Sequence, residues 1–257
     1  MKIIIDTDTL SDNVTGISAG SADANFPASN LRDDFTTNLW KAVSGITTTT
    51  LTLSVSKGSA VEILNTNATH VSVVVGTGGD YVLEGSYSLE TGYGLEQNTN
   101  LFFASSLPGA AGRLWIEFPE YSVAFTVVVT LTAASTVYAG IVRAGKVQSF
   151  ADPDYGMAED SKDYSIEKEL NNGADYYRKR NVVRQFTGLN IVDTWENAYK
   201  LKHNIFDAVG PAPLAIYLVN ALNNENLILF AKRINPPKLS YQWDDYMHIS
   251  LDLKEVI

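Results

Sequence analysis

Residues 47–55 read Thr-Thr-Thr-Thr-Leu-Thr-Leu-Ser-Val. From Leu51 onward every second residue is apolar, and the residues between are threonine or serine. Side chains of a β-strand point alternately to its two faces, so the pattern predicts a strand with one buried face. The rest of the first half of the chain repeats it.

Further strand-like segments occur at 60–64, 70–75, 112–118, 121–131 and 137–144. Clusters of glycine, proline and other turn residues separate several of them, and no helical periodicity interrupts the series. Many short strands with frequent turns indicate antiparallel sheets packed face to face. We predict a β-sandwich or jelly roll over residues 1–150.

The composition changes after residue 150. Residues 151–175 contain Asp-Pro-Asp-Tyr-Gly, a charged run and Asn-Asn-Gly, and such a segment buries little apolar surface. We interpret it as a linker or an extended arm, a kind of segment that often lies on a neighbouring molecule.

Residues 176–257 have the pattern of a smaller α+β unit with one main helix packed on a sheet. Asp193 offers an acceptor for the helix start, with Glu196 three residues on, and Gly210-Pro211 ends the helix. Strand-like segments precede and follow the helix, so we predict a mainly β protein of two parts.

Two of these later segments, 214–219 and 227–233, are predicted to form a hairpin that is apolar on both faces near residue 230. Such a hairpin needs cover, which a second subunit could supply. The candidate assembly residues are Leu214, Ile216, Leu227, Ile228 and Phe230. The alternative is that they form the core of their own domain.

Charge and composition exclude several classes of partner. The 257 residues carry 19 basic and 29 acidic side chains, a net charge of -10, and no cysteine. A chain without a basic face is not expected to bind nucleic acid. The sequence contains no apolar stretch of about 18 residues, so we expect no membrane insertion.

The N-terminus holds the one motif that suggests an enzyme. An apolar strand leads into Asp6, Asp8 and Asp12, and clustered carboxylates at a strand end supply ligands for a divalent cation. The motif resembles the calcium site of nucleoside hydrolases, but Thr9-Leu10 stands where that family has Pro-Gly. The simpler interpretation is a first strand that runs into a polar turn, and we expect no enzymatic activity.

Exposed aromatic residues offer a different function. Tyr81, Tyr87 and Tyr93 fall around glycine-rich turns, where a ring could stack on a sugar. Packing between strands would explain the same residues.

The turn from Asn30 through Leu31 to Asp33, followed by Trp40, resembles the opening of discoidin-like, galactose-binding-type jelly rolls. Asn and Asp close such a turn on the backbone, and the Trp caps the apolar core. The resemblance implies a jelly roll able to contact glycans, and places the family's calcium ligands near Asp33 or Asp34. The metal remains open, with Asp6, Asp8 and Asp33 as candidates, and no other cofactor is expected.

The layout of the whole chain, with a jelly roll, an arm and a strand-helix-hairpin unit, resembles virion proteins of the tail tip or baseplate of tailed bacteriophages. That resemblance implies a structural protein located in the virion, partnered by other tail proteins and assembled as a homo-oligomer. The alternative is a carbohydrate-binding module that recognises a host surface glycan. The remote alternative is a calcium-dependent nucleoside hydrolase.

Overall fold

The computed structural model describes residues 1–5, 14–76, 81–83, 101–103, 112–154, 156–169, 175–179, 182–218, 227–243 and 245–256. The strands up to residue 149 are β1 (Lys2–Ile5), β2 (Val14–Ala19), β3 (Trp40–Lys41), β4 (Thr48–Val55), β5 (Gly58–Thr66), β6 (His70–Val75), β7 (Tyr81–Leu83), β8 (Leu101–Phe103), β9 (Gly112–Tyr121), β10 (Phe125–Thr132), β11 (Tyr138–Ala139) and β12 (Ile141–Ser149). A 3-10 helix spans Ala28–Arg32.

The later strands before the helix are β13 (Ala158–Asp163), β14 (Ile166–Glu169), β15 (Asp175–Arg178) and β16 (Val182–Thr194). The helix begins with α1 (Trp195–Tyr199) and continues as a π-helix over Lys200–Asp207. The remaining strands are β17 (Leu214–Tyr217), β18 (Ile228–Arg233), β19 (Lys238–Trp243) and β20 (Tyr246–Glu255). No helix among the described residues is both long and apolar enough to span a membrane.

The chain forms two compact units. The first comprises Met1–Ser149 with Leu214–Leu229, and the second comprises Phe150–Pro213 with Phe230–Ile257. The segment 214–229 belongs to the first unit because β17 pairs with β1, with Ile216 opposite Ile3. The charged segment after residue 150 belongs to the second unit.

The first unit is a sandwich of two antiparallel sheets. One sheet has the order β17-β1-β12-β5-β9-β8, and the other has the order β2-β4-β10-β6-β7. Leu51 and Leu53 of β4 lie opposite Val129 and Val127 of β10, and all four are buried. The facing sheet contributes Val61, Ile63, Leu114, Ile116, Val142 and Ala144 to the same core. The predicted antiparallel sandwich is confirmed.

One predicted strand is divided. The segment 137–144 forms two strands, β11 paired with β3 and β12 paired with β5, with Gly140 between them. A Cβ atom at Gly140 would lie 2.4 Å from the carbonyl oxygen of Thr36, so the chain passes too close to its neighbour for a larger residue.

The second unit packs the helix on a small sheet. β16 lies between β13 and β20, and β20 also pairs with β18 and β19. The helix contacts β16 and β20. The buried side chains of this unit include Phe186, Leu189, Ile191, Ala198, Leu201, Ile205, Phe206, Phe230, Met247, Ile249, Leu251 and Leu253. The prediction of one main helix in a mainly β chain is confirmed, but residues 214–229, which were predicted to belong to this unit, lie in the first one.

The predicted arm contains regular structure. Its strand β13 pairs along its length with β16, and Arg184 Nε lies 2.6 Å from Glu159 Oε1. β14 and β15 then form a separate two-stranded ribbon. The charged side chains of β13 are exposed, and this is compatible with a sheet edge that faces water.

Candidate functional site

The predicted turn is held at both ends by side chains. Asn30 Nδ2 donates to the carbonyl oxygen of Leu39 at 2.9 Å. The Asp33 carboxylate accepts from the Phe35 N–H at 2.9 Å and from Asn38 Nδ2 at 2.7 Å. These bonds close the loop on itself, as short polar side chains do in turns.

Trp40 lies at the end of this turn, in β3, and is fully buried together with Leu31 in the sandwich core. The structure thus brings Asn30, Leu31, Asp33 and Trp40 into one feature. The indole Nε1 of Trp40 is buried without a hydrogen-bond partner among the described residues. The indole ring therefore stabilises the core by filling space and not by hydrogen bonding.

Arg143 is a central residue of the turn that sequence reasoning missed. Its side chain reaches from β12 to the end of the 3-10 helix and donates to the carbonyl oxygens of Leu31, Arg32 and Asp33 at 3.2, 3.4 and 2.8 Å. Asp34 Oδ1 lies 3.3 Å from Arg143 Nη2. One sequence signal could have found it: an arginine within the otherwise apolar run 141–144.

The groups around Asp33 and Asp34 do not fit a calcium ion. Both carboxylate oxygens of Asp33 accept hydrogen bonds within the loop, and Asp34 is paired with Arg143. The neighbouring carbonyl oxygens face the guanidinium. Calcium needs six to eight free oxygen ligands, and the described residues contain no group of three side chains suited to hold a metal. Asp6 and Asp8 lie outside the described residues.

The proposed assembly residues of the predicted hairpin lie in the interior. Ile216, Leu227, Ile228 and Phe230 are buried, with at most 4% of each side chain exposed, and Leu214 is partly buried. Leu218 N–H donates to Leu227 O at 3.0 Å, so the two segments are hydrogen-bonded to each other. Buried side chains cannot supply the surface of a subunit contact, which has to come from other residues.

The three candidate tyrosines cannot be placed as a site. Tyr81 belongs to β7, where only the backbone is described, and Tyr87 and Tyr93 lie outside the described residues.

The helix start differs by one residue from the prediction. Thr194 is the N-cap, and its hydroxyl accepts from the Asn197 N–H at 3.4 Å. Asp193 holds the residues around the cap: its carboxylate accepts from Asn197 Nδ2 at 2.9 Å and from the Ala151 N–H at 2.8 Å. At the other end Gly210 has a φ of +67°, the left-handed conformation that glycine adopts at helix ends.

Three rings form a column along the outer face of this helix. Trp195 and Tyr199 stack with centroids 5.4 Å apart and planes at 21°, and Tyr199 and His203 have centroids 4.4 Å apart. Trp195 is 51% exposed and Tyr199 45% exposed. We call these three residues the aromatic column. Tyr246, opposite Thr194 on β20, places another exposed ring near its start.

The change of helix type keeps the aromatic column on one face. Four residues are slightly more than one turn of an α-helix and slightly less than one turn of a π-helix. The side-chain direction therefore rotates slightly one way about the helix axis between Trp195 and Tyr199. It rotates back between Tyr199 and His203. The spacing of four residues between the rings is the sequence signal that could have revealed this surface.

A cluster of charges continues the aromatic column at Asp207. Lys202 Nζ lies 2.7 Å and His203 Nδ1 3.0 Å from Asp207 Oδ2, and Arg233 Nη1 lies 3.0 Å from Oδ1. The hydrogen bond from Lys202 is the main reason that the pKa of Asp207 lies below its ordinary value; burial opposes this effect, and the hydrogen bond from Arg233 adds to it. The carboxylate therefore remains charged and holds the Lys202 and Arg233 side chains beside the rings.

No protein-family profile and no curated protein matches the chain. Among solved structures, the chain is similar to chitosan-binding module 1 of a chitosanase/glucanase from Paenibacillus sp. IK-5, with 16% identity over 53% of this chain and 96% of the module. A selenomethionine-labelled mutant of that module matches with 13% identity over 51% and 94%. Both TM-scores are 0.34, a value at which similarity supports no conclusion on fold or ligand.

Proposed function

We propose that this chain is a non-enzymatic structural component of a phage tail, held in its assembly by the aromatic column of the second unit. The phage-tail role rests on the layout of the chain, and the observation that supports assembly is the exposure of Trp195 and Tyr199 on a helix whose other face is buried. Trp, Tyr and Arg are the residues that dominate the energy of protein interfaces. Stacking fixes these rings in place, so little side-chain entropy is lost when a partner covers them.

The surroundings of the aromatic column have the composition of an interface rim. Glu196, Lys202 and Asp207 are polar groups beside the rings, and Arg233 adds a guanidinium held by Asp207. An apolar centre enclosed by polar groups is the common arrangement of protein–protein contacts. A surface of this kind favours a protein partner.

The occupant that we propose is a second copy of the chain. The β14–β15 ribbon is a two-stranded sheet, and a two-stranded ribbon is only marginally stable in water by itself. The adjoining strand β13 exposes Asp160 and Asp163, and hydrogen bonds from Ser165 lower the pKa of Asp163. The acidic side chains of the arm complement Lys202 and Arg233, so the arm of one copy would cover the aromatic column of the next. Such a head-to-tail contact between unlike surfaces forms a ring when the rotation from one copy to the next closes.

Light scattering coupled to size-exclusion chromatography tests this proposal. The wild type is expected to form a homo-oligomer at tens of micromolar, and the double variant Trp195→Ala/Tyr199→Ala a monomer with unchanged circular dichroism. Tyr241→Ala, which removes an 82% exposed ring outside the column, is the matched control and should retain the oligomer. A monomeric wild type, or an oligomer unaffected by the double variant, would refute the contact.

A second candidate function is glycan recognition by the first unit. Phe35 is 55% exposed beside the predicted jelly-roll turn. Its N–H is bound by the Asp33 carboxylate at 2.9 Å and its carbonyl oxygen accepts from the Asn38 N–H at 3.1 Å. A ring on a loop held in this way could stack on a pyranose.

A glycan array followed by calorimetric titration tests the second candidate. Sugars bound by the wild type should lose at least tenfold in affinity with Phe35→Ala and keep their affinity with Val123→Ala, which removes a 68% exposed apolar side chain elsewhere in the unit. An array without binding, with and without calcium, would remove this function.

A further inference from the structure

The end of the 3-10 helix presents a row of carbonyl oxygens to one cation. The carbonyls of Leu31, Arg32 and Asp33 come from three successive residues and all accept from Arg143. The last carbonyls of a helix have no partner within the helix and must be satisfied by other groups. Here they converge on a side chain 110 residues away in sequence.

Arg143 is suited to this position by its chemistry. Its side chain is 10% exposed, and a buried guanidinium needs acceptors for its donors or it destabilises the fold. Its Nη1 also donates to the Val142 carbonyl at 3.2 Å, while Nη2 serves Asp33 O and the Asp34 carboxylate. A lysine would offer a single point of charge, whereas the planar guanidinium reaches all of these oxygens.

We infer that Arg143 is the built-in cation of this turn. It gathers carbonyl oxygens and one carboxylate around a positive charge, as a bound calcium ion does elsewhere. The guanidinium and a metal ion would repel each other and compete for the same oxygens, so the turn keeps its conformation without calcium. This inference rests on the geometry of the first unit and is independent of the proposed assembly.

Thermal unfolding with calcium and with a chelator tests the inference. The wild type should unfold at the same temperature in millimolar calcium and in EDTA. Arg143→Met, which removes the charge but keeps most of the side-chain length, should unfold at a clearly lower temperature in EDTA, and calcium should restore part of the loss. The unfolding temperature of Arg143→Lys in EDTA should lie between those of the wild type and Arg143→Met.

Lys146→Met is the matched control, because Lys146 lies on the same strand in an exposed pair with Glu120. It should change the unfolding temperature little and show no calcium effect. If Arg143→Met does not fold, Arg143→Lys and Asp34→Asn carry the test, each with a lower unfolding temperature than the wild type. The inference would be overturned if the unfolding temperature of the wild type depended on calcium. It would also be overturned if the variant without the charge unfolded at the wild-type temperature, or if calcium did not raise its unfolding temperature.

Discussion

Trp195 and Tyr199 stack with ring planes 21° apart on the outer face of the helix, while about half of each side chain remains exposed. Ala198, between them in sequence, is fully buried on the adjoining face of the helix. One face of the helix thus holds the second unit together, and the other presents rings that a partner can cover. The buried face and the aromatic column can be altered independently.

Asp207→Asn should lower the free energy of unfolding at neutral pH by about 1 kcal/mol, the upper range for an exposed ion-pair network. The pKa of Asp207 in the folded protein lies below its ordinary value of 3.8, mainly because of Lys202. Its contribution to stability is therefore complete above about pH 4 and is lost as the pH falls through the folded-state pKa. Urea unfolding of the wild type and of Asp207→Asn, at pH 7 and in strong acid, measures the difference in free energy of unfolding under each condition.

Glu196→Gln is the control for this prediction, since it removes a carboxylate from the same helix outside the Asp207 cluster. It should change stability by less than about 0.5 kcal/mol. A stability difference between wild type and Asp207→Asn that persists in strong acid would contradict the assigned ion pairs.

Trp40→Phe should be tolerated far better than Trp40→Ala. The alanine variant leaves a cavity in the core and should cost about 3–5 kcal/mol. The phenylalanine variant keeps most of the ring volume, and the N–H that it removes has no hydrogen-bond partner among the described residues. Chemical denaturation of the two variants measures the difference, and equal losses would contradict the conclusion that Trp40 stabilises the core through its ring volume.

Gly140→Ala should destabilise the first unit by about 2 kcal/mol, the typical cost of overpacking. Its Cβ would approach the Thr36 carbonyl to 2.4 Å, a contact that the backbone has to relieve by moving. Gly16→Ala is the matched control, because its Cβ would lie 3.8 Å from Ser54 in ordinary contact. Thermal unfolding should separate the two, and an unperturbed Gly140→Ala variant would argue against the close approach.

Local sequence patterns predicted the regular elements well. The alternation in residues 51–55 matches the buried residues of β4, and Gly210 ends the helix as expected. These features depend on side-chain periodicity and backbone conformation within a few residues, and the sequence contains that information directly.

Features that depend on distant partners were not predictable in this way. The apolar run at 227–231 indicated a need for cover, but not that the cover lies within the chain, where Ile228 and Phe230 are buried. Arg143 could not be matched with its turn because its acceptors lie about a hundred residues earlier. The aromatic column was visible as a spacing of four residues, yet the apolar residues Ala198, Leu201 and Ile205 on the rest of the helix gave the stronger signal.

Hydroxyl-radical footprinting of the assembled and the dissociated protein tests the proposed contact most directly, because it measures the exposure of individual rings. Oxidation of Trp195 and Tyr199 should fall severalfold in the assembly, while Tyr241 should be oxidised equally in both states. Equal oxidation of Trp195 in the assembled and dissociated protein would contradict the proposal that the aromatic column holds the subunits together.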